Sequence, residues 1–383
     1  MHFWTILLAS AGLVSLAALA FLFCRFRRFR FVCRLKEKNR VWGVVLPLLM
    51  LLLLAGIVFA VLSNVTNKPL NAAIVLIHLL LFWLLFDGIG RLVQGKFVPG
   101  RKIYWQGVSA LLVTAVYLGF GWYAAHHVVR TDYALSTEKT LPKGKITVAQ
   151  ISDSHVGALL DGAKFGEYVK QIDALSPDLI VLTGDFVDDD TPLSDLLLSC
   201  EALGKTNAPV CFVYGNHDRR YFGGGEFDAQ TLTDSLKAAG VTVLRDDVVY
   251  LEDLNVTLIG RDDASRSAGR KSIADLMQSV KEGSYVVVLD HEPNDFDAEA
   301  ASGADLVLCG HTHGGQRFPP GYVAPMMGAN DEFLDLSRRE NTDFIVNSGI
   351  ADWSIPFKTG CRAEYVIVEV TESKTPFRLP RRG

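Results

Sequence analysis

Five short clusters of Asp, Asn and His carry the chemistry this sequence can do, and each follows a short apolar run. Val148-Ala149-Gln150-Ile151 leads into Ser152-Asp153-Ser154-His155, Ile180-Val181-Leu182-Thr183 into Gly184-Asp185-Phe186-Val187-Asp188, and Cys211-Phe212-Val213-Tyr214 into Gly215-Asn216-His217-Asp218. Further on, Val286-Val287-Val288-Leu289 leads into Asp290-His291-Glu292-Pro293, and Leu306-Val307-Leu308-Cys309 into Gly310-His311-Thr312-His313-Gly314-Gly315-Gln316. Residues 131–383 contain five histidines (155, 217, 291, 311 and 313), and all five fall in these clusters. One isolated His is ordinarily a hydrogen-bonded structural residue; five of five beside Asp, Asn or Gly at the ends of apolar runs is the pattern of a metal site. Imidazole and carboxylate ligands without Cys suit divalent Mn, Fe, Zn or Co and do not suit a structural thiolate zinc site. Seven candidate ligands exceed what one ion takes, which points to two cations about 3.5–4 Å apart and metal-assisted hydrolysis.

Such clusters need a scaffold that brings distant segments to one place. From about Lys145, short apolar runs alternate with amphipathic stretches, the layout of an α/β domain. Strands are expected at 146–151, 179–183, 210–214, 241–244, 256–259, 285–289, 306–309, 344–347 and 365–370, with helices at 162–175, 193–203, 229–239 and 272–280. Ligands of α/β sheets bind at the carboxyl ends of strands, so the five clusters converge on one site. Residues 131–145, polar and mixed, read as a linker, and 372–383 as a basic tail. Cys211 and Cys309 lie inside apolar runs as buried thiols; Cys200 and Cys361 show no close-spaced pattern.

The N-terminal part is physically different. The mean hydropathy of +0.23 hides a split. Residues 1–130 carry 14 Lys and Arg against Glu37 and Asp87 alone, whereas the remainder carries 24 against 40 acids. Four apolar segments, Phe3 to Phe23, Val41 to Leu62, Ala72 to Gly90 and Ile103 to Ala125, each supply about the 20 residues that a helical span requires. Arg25 to Arg40 and Arg91 to Lys102 are rich in Lys and Arg, so those loops are cytoplasmic and everything after Ala125 lies outside. The first segment has no basic stretch before it and reads as an anchor rather than a cleaved signal. Asp87 is the one carboxylate within a span, and Arg91 one turn later is its expected partner. An acidic second half excludes a nucleic-acid binder that relies on a basic face.

In their order, Asp-x-His, Gly-Asp-x-x-Asp, Gly-Asn-His-Asp, a lone His before Glu-Pro and Gly-His-Thr-His-Gly-Gly-Gln resemble the calcineurin-like metallophosphoesterase superfamily, with wording similar to its membrane-anchored YkuE-type phosphodiesterase branch. The resemblance covers residues 146–371 and leaves 1–130 as a separate transmembrane region. It implies a β-sandwich of two mixed sheets flanked by helices. It also implies that Asp153, His155 and His313 hold one metal, that Asn216, His291 and His311 hold the other, and that Asp185 bridges them. His217 matches the catalytic histidine of the family, with Asp218 orienting it, while Asp188 supports a ligand. Arg219, Arg220 and Arg317 flank two motifs, where a guanidinium fork fits either a substrate phosphate or solvent.

The implied activity is that of a membrane-anchored, dinuclear-metal phosphoesterase at the plasma membrane, acting outside the cytoplasm on a phosphodiester or phosphomonoester. A lipid or cell-envelope phosphate is the attractive substrate, because the anchor keeps the site near the bilayer. The runner-up is a lipid-linked pyrophosphatase of the UDP-diacylglucosamine hydrolase type, whose substrate lies on the cytoplasmic side and conflicts with the topology. A membrane transporter or scaffold with a regulatory phosphoesterase domain is the third reading; of the residues within the spans, only Asp87 and His78 offer it a polar pathway.

Overall fold

The computed structural model describes residues 2–62, 68–94, 104–219, 225–265, 269–316 and 330–373. The chain forms two compact units, Met1–Trp122 with Ser354–Pro356, and Tyr123–Trp353 with Phe357–Gly383.

The first unit consists of helices α1 (His2–Phe26), α2 (Arg30–Lys38), α3 (Trp42–Val61), α4 (Lys68–Gln94) and α5 (Trp105–His126). Among the described residues three helical segments, Trp42–Val61, Lys68–Val93 and Trp105–His126, are long and apolar enough to cross a membrane, and Gly12–Phe26 of α1 is a shorter apolar stretch. Asp87 does not take Arg91 as partner. Its side chain is buried, and Arg25 reaches it at 2.9 Å and Arg28 at 4.0 Å, while Arg91 is exposed. The Tyr104 hydroxyl donates to Asp87 at 2.8 Å and accepts from the Trp83 indole at 2.7 Å. A buried carboxylate in an apolar bundle must find its cation there, and packing brings it Arg25 from another helix, while the Arg91 side chain one turn along is left exposed.

The second unit continues with β1 (Val129–Thr137), β2 (Lys145–Ile151), α6 (Gly162–Asp173), β3 (Leu179–Thr183), α7 (Leu193–Leu203), β4 (Val210–Val213), α8 (Ala229–Ala238), β5 (Thr242–Leu244), β6 (Asp247–Leu251), β7 (Val256–Gly260), α9 (Ile273–Met277), β8 (Tyr285–Leu289), α10 (Phe296–Ser302), β9 (Leu306–Cys309), β10 (Asp335–Arg339), β11 (Thr342–Val346) and β12 (Glu364–Glu372). Two six-stranded mixed sheets result, in the orders β1-β12-β2-β3-β4-β5 and β10-β11-β9-β8-β7-β6. Strands β2 to β5 run parallel in the first sheet, and β7, β8, β9 and β11 in the second.

Alternation along each strand sorts side chains between two faces. Val148, Leu179, Val181 and Val213 meet Leu258, Val287, Leu289 and Leu308 in the core between the sheets. Ala149, Ile180, Leu182 and Phe212 instead pack against Phe165, Val169, Leu196 and Leu232 of α6, α7 and α8. On the far side Val286, Val288 and Val307 cover Ile273, Leu276 and Phe296 of α9 and α10. Both faces of the central strands are therefore buried, which is why they read as unbroken apolar runs. Helices α6 and α8 begin where Asp161 and Asp228 accept the Lys164 and Thr231 N–H groups, at 2.7 and 2.8 Å.

The first part of the stretch expected as a linker, 131–137, belongs to strand β1, paired in parallel with β12 from Val129 opposite Glu364 to Thr137 opposite Glu372. Its polar composition belongs to an outermost strand, on which Tyr133 and Leu135 pack on the core while Arg130 and Asp132 face solvent. Cutting the chain at Lys139 removes this cover and leaves the β12 edge open. A fragment starting there is expected to melt several degrees below one starting at Tyr123, and to aggregate in gel filtration where the longer one does not.

Candidate metal centre

Parallel strands in both sheets end at the same rim, and each polar cluster is the turn leaving one of them. β2 delivers Asp153 and His155, β3 Asp185, β4 Asn216 and His217, β8 His291, and β9 His311 and His313. The backbone turns sharply there. Asp153, His155, Asp185, His311 and His313 all adopt positive φ, between 39° and 71°. Each such residue costs about 1–3 kcal/mol, so five together mark a place where surrounding structure overrides local preference. Hydrogen bonds within and between the sheets supply that override. The Asp153 N–H donates to the Gly184 carbonyl at 3.1 Å, and the His311 N–H donates across the sandwich to the Asp153 carboxylate at 3.0 Å. Gly184 has φ +86°, and a Cβ on it would sit 2.6 Å from His291 Nδ1, so only glycine permits this approach.

The seven expected ligands come together in two groups. Asp153, His155 and His313 have ligand atoms within 4.8 Å of one another, as do Asp185, His291 and His311. Asn216 joins the second group, with its side-chain oxygen 3.0 Å from His311 Nδ1. One oxygen of Asp185 stands between the groups, 3.2 Å from His291 Nε2 and 3.7 Å from His155 Nε2. Because a carbonyl oxygen can only accept, His291 Nδ1 donates to the Thr183 carbonyl at 2.8 Å, which leaves Nε2 as the ring nitrogen that faces Asp185. His155 Nε2 and His291 Nε2 are buried without a hydrogen-bond partner among the described residues. Orphaned nitrogens of this kind are costly in an interior and are what a divalent cation satisfies, so the residues present fit a pair of cations. Burial above all pushes the His311 pKa down to about 4, so its ring is neutral at physiological pH, the form that can coordinate a cation.

His217 sits at the edge of this arrangement. Its ring centroid lies 4.9 Å from that of His155, and its Nδ1 is 3.0 Å from Asp188 Oδ1. Burial disfavours its cation, but Asp185 and Asp188 overcome that and raise its pKa to about 9. Asp188 also lies 3.5 Å from His155 Nδ1. Burial pushes the Asp188 carboxyl up, and the two histidines override it to hold the group well below the usual range. Asp218 is not the expected brace for His217. Its two oxygens accept the backbone N–H groups of Asp185, Phe186, Val187 and Gly215, at 2.7–3.1 Å, so it shapes the loop that presents Asp185. Arg219 pairs with the buried Asp262, which Arg245 also reaches at 3.0 Å. Arg220 and Arg317 lie outside the described residues.

Three residues of the site carried no signal in the sequence. Asp352, fully buried, lies 2.9 Å from His313 Nδ1 and 3.6 Å from the ammonium of Lys358, itself fully buried. Burial disfavours the charged Lys358, yet Asp352 keeps its pKa above the ordinary value. Trp353 places its ring 5.9 Å from that of His217. All three sit in an irregular loop between β11 and β12, without a histidine or a strand end to mark them.

A family model described as calcineurin-like phosphoesterase matches residues 146–315. A metallophosphoesterase of Aquifex aeolicus is 36% identical over 265 residues, covering 67% of this chain and 97% of its own length. The metallophosphoesterase YkuE of Bacillus subtilis is 25% identical, over 70% of this chain and 96% of its own. A transmembrane protein with metallophosphoesterase domain from Danio rerio is 26% identical, over 85% of this chain and 79% of its own.

Replacing Asp352 with Asn is expected to lower metal affinity about 10–100-fold by releasing the His313 ring, measured by titration calorimetry on the metal-stripped chain. Lys358→Met, which strands a buried carboxylate, is expected to cost about 3–5 kcal/mol of stability in chemical denaturation.

Proposed function

The chain belongs to the calcineurin-like phosphoesterase family, and from that premise we propose that it is an integral membrane hydrolase that cleaves a phosphodiester or phosphomonoester on the extracytoplasmic side of the plasma membrane. Enzymes of this family work with a dinuclear divalent metal centre, and His/Asp clusters able to hold one are present here. In this reading Asp153, His155 and His313 hold one cation, Asn216, His291 and His311 the other, and Asp185 both. The observation that carries it is the single Asp185 oxygen facing His155 Nε2 and His291 Nε2 at once. A carboxylate oxygen can be shared between two cations, whereas an imidazole nitrogen has one lone pair.

When bound, the two cations supply positive charge for the phosphoryl oxygens and the acidity that makes hydroxide from water near neutral pH. The remaining tasks fall to side chains. Asp188 fixes the His217 ring through Nδ1 and favours its protonated form. The opposite nitrogen, Nε2, is then the donor that protonates the departing alkoxide. Asp218 holds the turn that aims Asp185, and Asp352 with Lys358 orients His313. Trp353, beside His217, offers an apolar surface to the leaving group.

In this reading α1 is the first of four spans and the basic loops are cytoplasmic, so the second unit lies outside and the bilayer favours a lipid or cell-envelope phosphate as substrate. The charge asymmetry of the N-terminal region supports that orientation. A periplasmic-type reporter fused after Gly383 is expected to be active, and a cytoplasm-dependent fluorescent one silent; the reverse pattern would refute the orientation.

The activity itself is tested on the full chain in detergent, stripped of metal and then supplied with Mn, Zn, Fe or Co, with bis-p-nitrophenyl phosphate and p-nitrophenyl phosphate as substrates. Turnover is expected only with metal. Asp185→Asn should abolish it, and His217→Ala should lower kcat about 10²–10⁴-fold while bound metal stays unchanged. Metal binding without turnover of either substrate would sink the proposal for simple esters.

A further inference from the structure

We propose that the N-terminal unit contains a second ligand site, a cavity between the end of α1, helix α2 and the short segment leading into α3 that binds the phosphate of an anionic phospholipid headgroup. The cavity holds about 610 Å³, within the range of small-ligand sites. Arg27, Arg28, Lys36, Lys38 and Arg40 line it, with Glu37 the one acid among its lining residues. A phosphate offers several strong acceptor oxygens to such donors and forms charge-assisted, often bidentate bonds with them.

Two observations separate this cavity from a merely charged loop. First, parts of its wall are fixed by contacts behind it. Arg28 reaches the buried Asp87 at 4.0 Å and stands 5.9 Å over the Tyr104 ring, within the polar cluster that also holds Arg25. The stem of Lys36 lies against Gly43, where a Cβ would come within 2.9 Å of its Cγ and Cδ, so the absence of a side chain on α3 makes room for this lysine. Second, the charges of α2 are not equivalent. Lys36 and Lys38 line the cavity, whereas Arg30 and Arg34 of the same helix do not. Retention of a loop on the cytoplasmic side depends on the number of its charges and requires no such convergence.

Position along the chain selects the ligand source. Asn39 accepts the Val41 N–H at 3.0 Å where the chain enters α3, and the apolar stretch begins at Trp42. The cavity thus lies at the end of a candidate span, the level at which headgroup phosphates sit. Helix α2, with Val32 buried and four basic residues, has the composition of a helix lying in that interface.

The test uses the full chain in neutral detergent, examined by native mass spectrometry with dioleoyl phosphatidylglycerol, dioleoyl phosphatidylcholine or inorganic phosphate. Phosphatidylglycerol is expected to be retained in preference to phosphatidylcholine. Lys36→Gln/Lys38→Gln should weaken its binding at least about tenfold. Arg30→Gln/Arg34→Gln, which removes the same charge from the same helix, should change it less than twofold. Circular dichroism confirms that both variants keep their helices. Inorganic phosphate binding with the same dependence on Lys36 and Lys38, without preference between the lipids, would keep the site and assign it to the free anion. Equal losses in the two double variants, or neither lipid preference nor phosphate binding, would overturn the proposal.

Discussion

Gathering seven candidate ligand groups at the facing ends of two sheets, all but the half-buried His311 buried and some of their nitrogens without a hydrogen bond among the described residues, is the constraint around which the second unit is organised. An interior tolerates His155 Nε2 and His291 Nε2 only if something positive meets their lone pairs. The protein side of that bargain is positional. Hydrogen bonds cross from one sheet to the other at the rim itself, from the His311 N–H to Asp153, from His291 Nδ1 to the Thr183 carbonyl, and from the Gln150 amide to the Cys309 carbonyl. The same contacts that aim the ligands therefore fasten the sandwich, so fold stability and site geometry are coupled at this edge.

Behind the ligands, carboxylates are fixed in three different ways. Asp218 forms no ion pair with a Lys or Arg among the described residues and instead gathers four backbone N–H groups, which holds two loops in one conformation. Asp352 faces both His313 and the fully buried Lys358, an arrangement whose net energy is small but whose disruption is expensive. Asp290, one residue before His291, takes the guanidinium of the buried Arg261 at 3.0 Å together with Arg270. Each carboxylate holds a segment adjoining a ligand, and a rigid support of this kind is what keeps reacting groups at productive distances.

Much of this was legible in the chain because ligands and strand ends coincide. Central strands buried on both faces are continuous apolar runs, and the residue after the run is the residue at the rim; that is why β2, β3, β4, β8 and β9 and the residues they deliver could be located from spacing. Outer strands obey a weaker rule. β1 and β10 face solvent on one side, so Arg130, Asp132, Arg338 and Arg339 interrupt the pattern and the segments look like loops. Adjacency also misled: Asp218 follows His217 in sequence, but its oxygens are taken up by backbone N–H groups, and the carboxylate on His217 Nδ1 is that of Asp188, after the end of β3.

Buried ion pairs were the least legible feature, for one physical reason in both units. Arg91 was the natural partner for Asp87 by helical spacing, and a local pair is what an exposed helix surface would form. Inside a bundle or beneath the candidate metal centre, the partner is whichever cation the packing brings inward: Arg25 from another helix for Asp87, and Lys358 from further along the same irregular loop for Asp352. The desolvation cost of a lone charge makes such pairing obligatory, while the low dielectric lets it act through non-local contacts. Helical spacing thus predicts surface pairs and fails for a buried acid such as Asp87. The residues most important for positioning a catalytic group are accordingly those that a reading of motifs is least equipped to find.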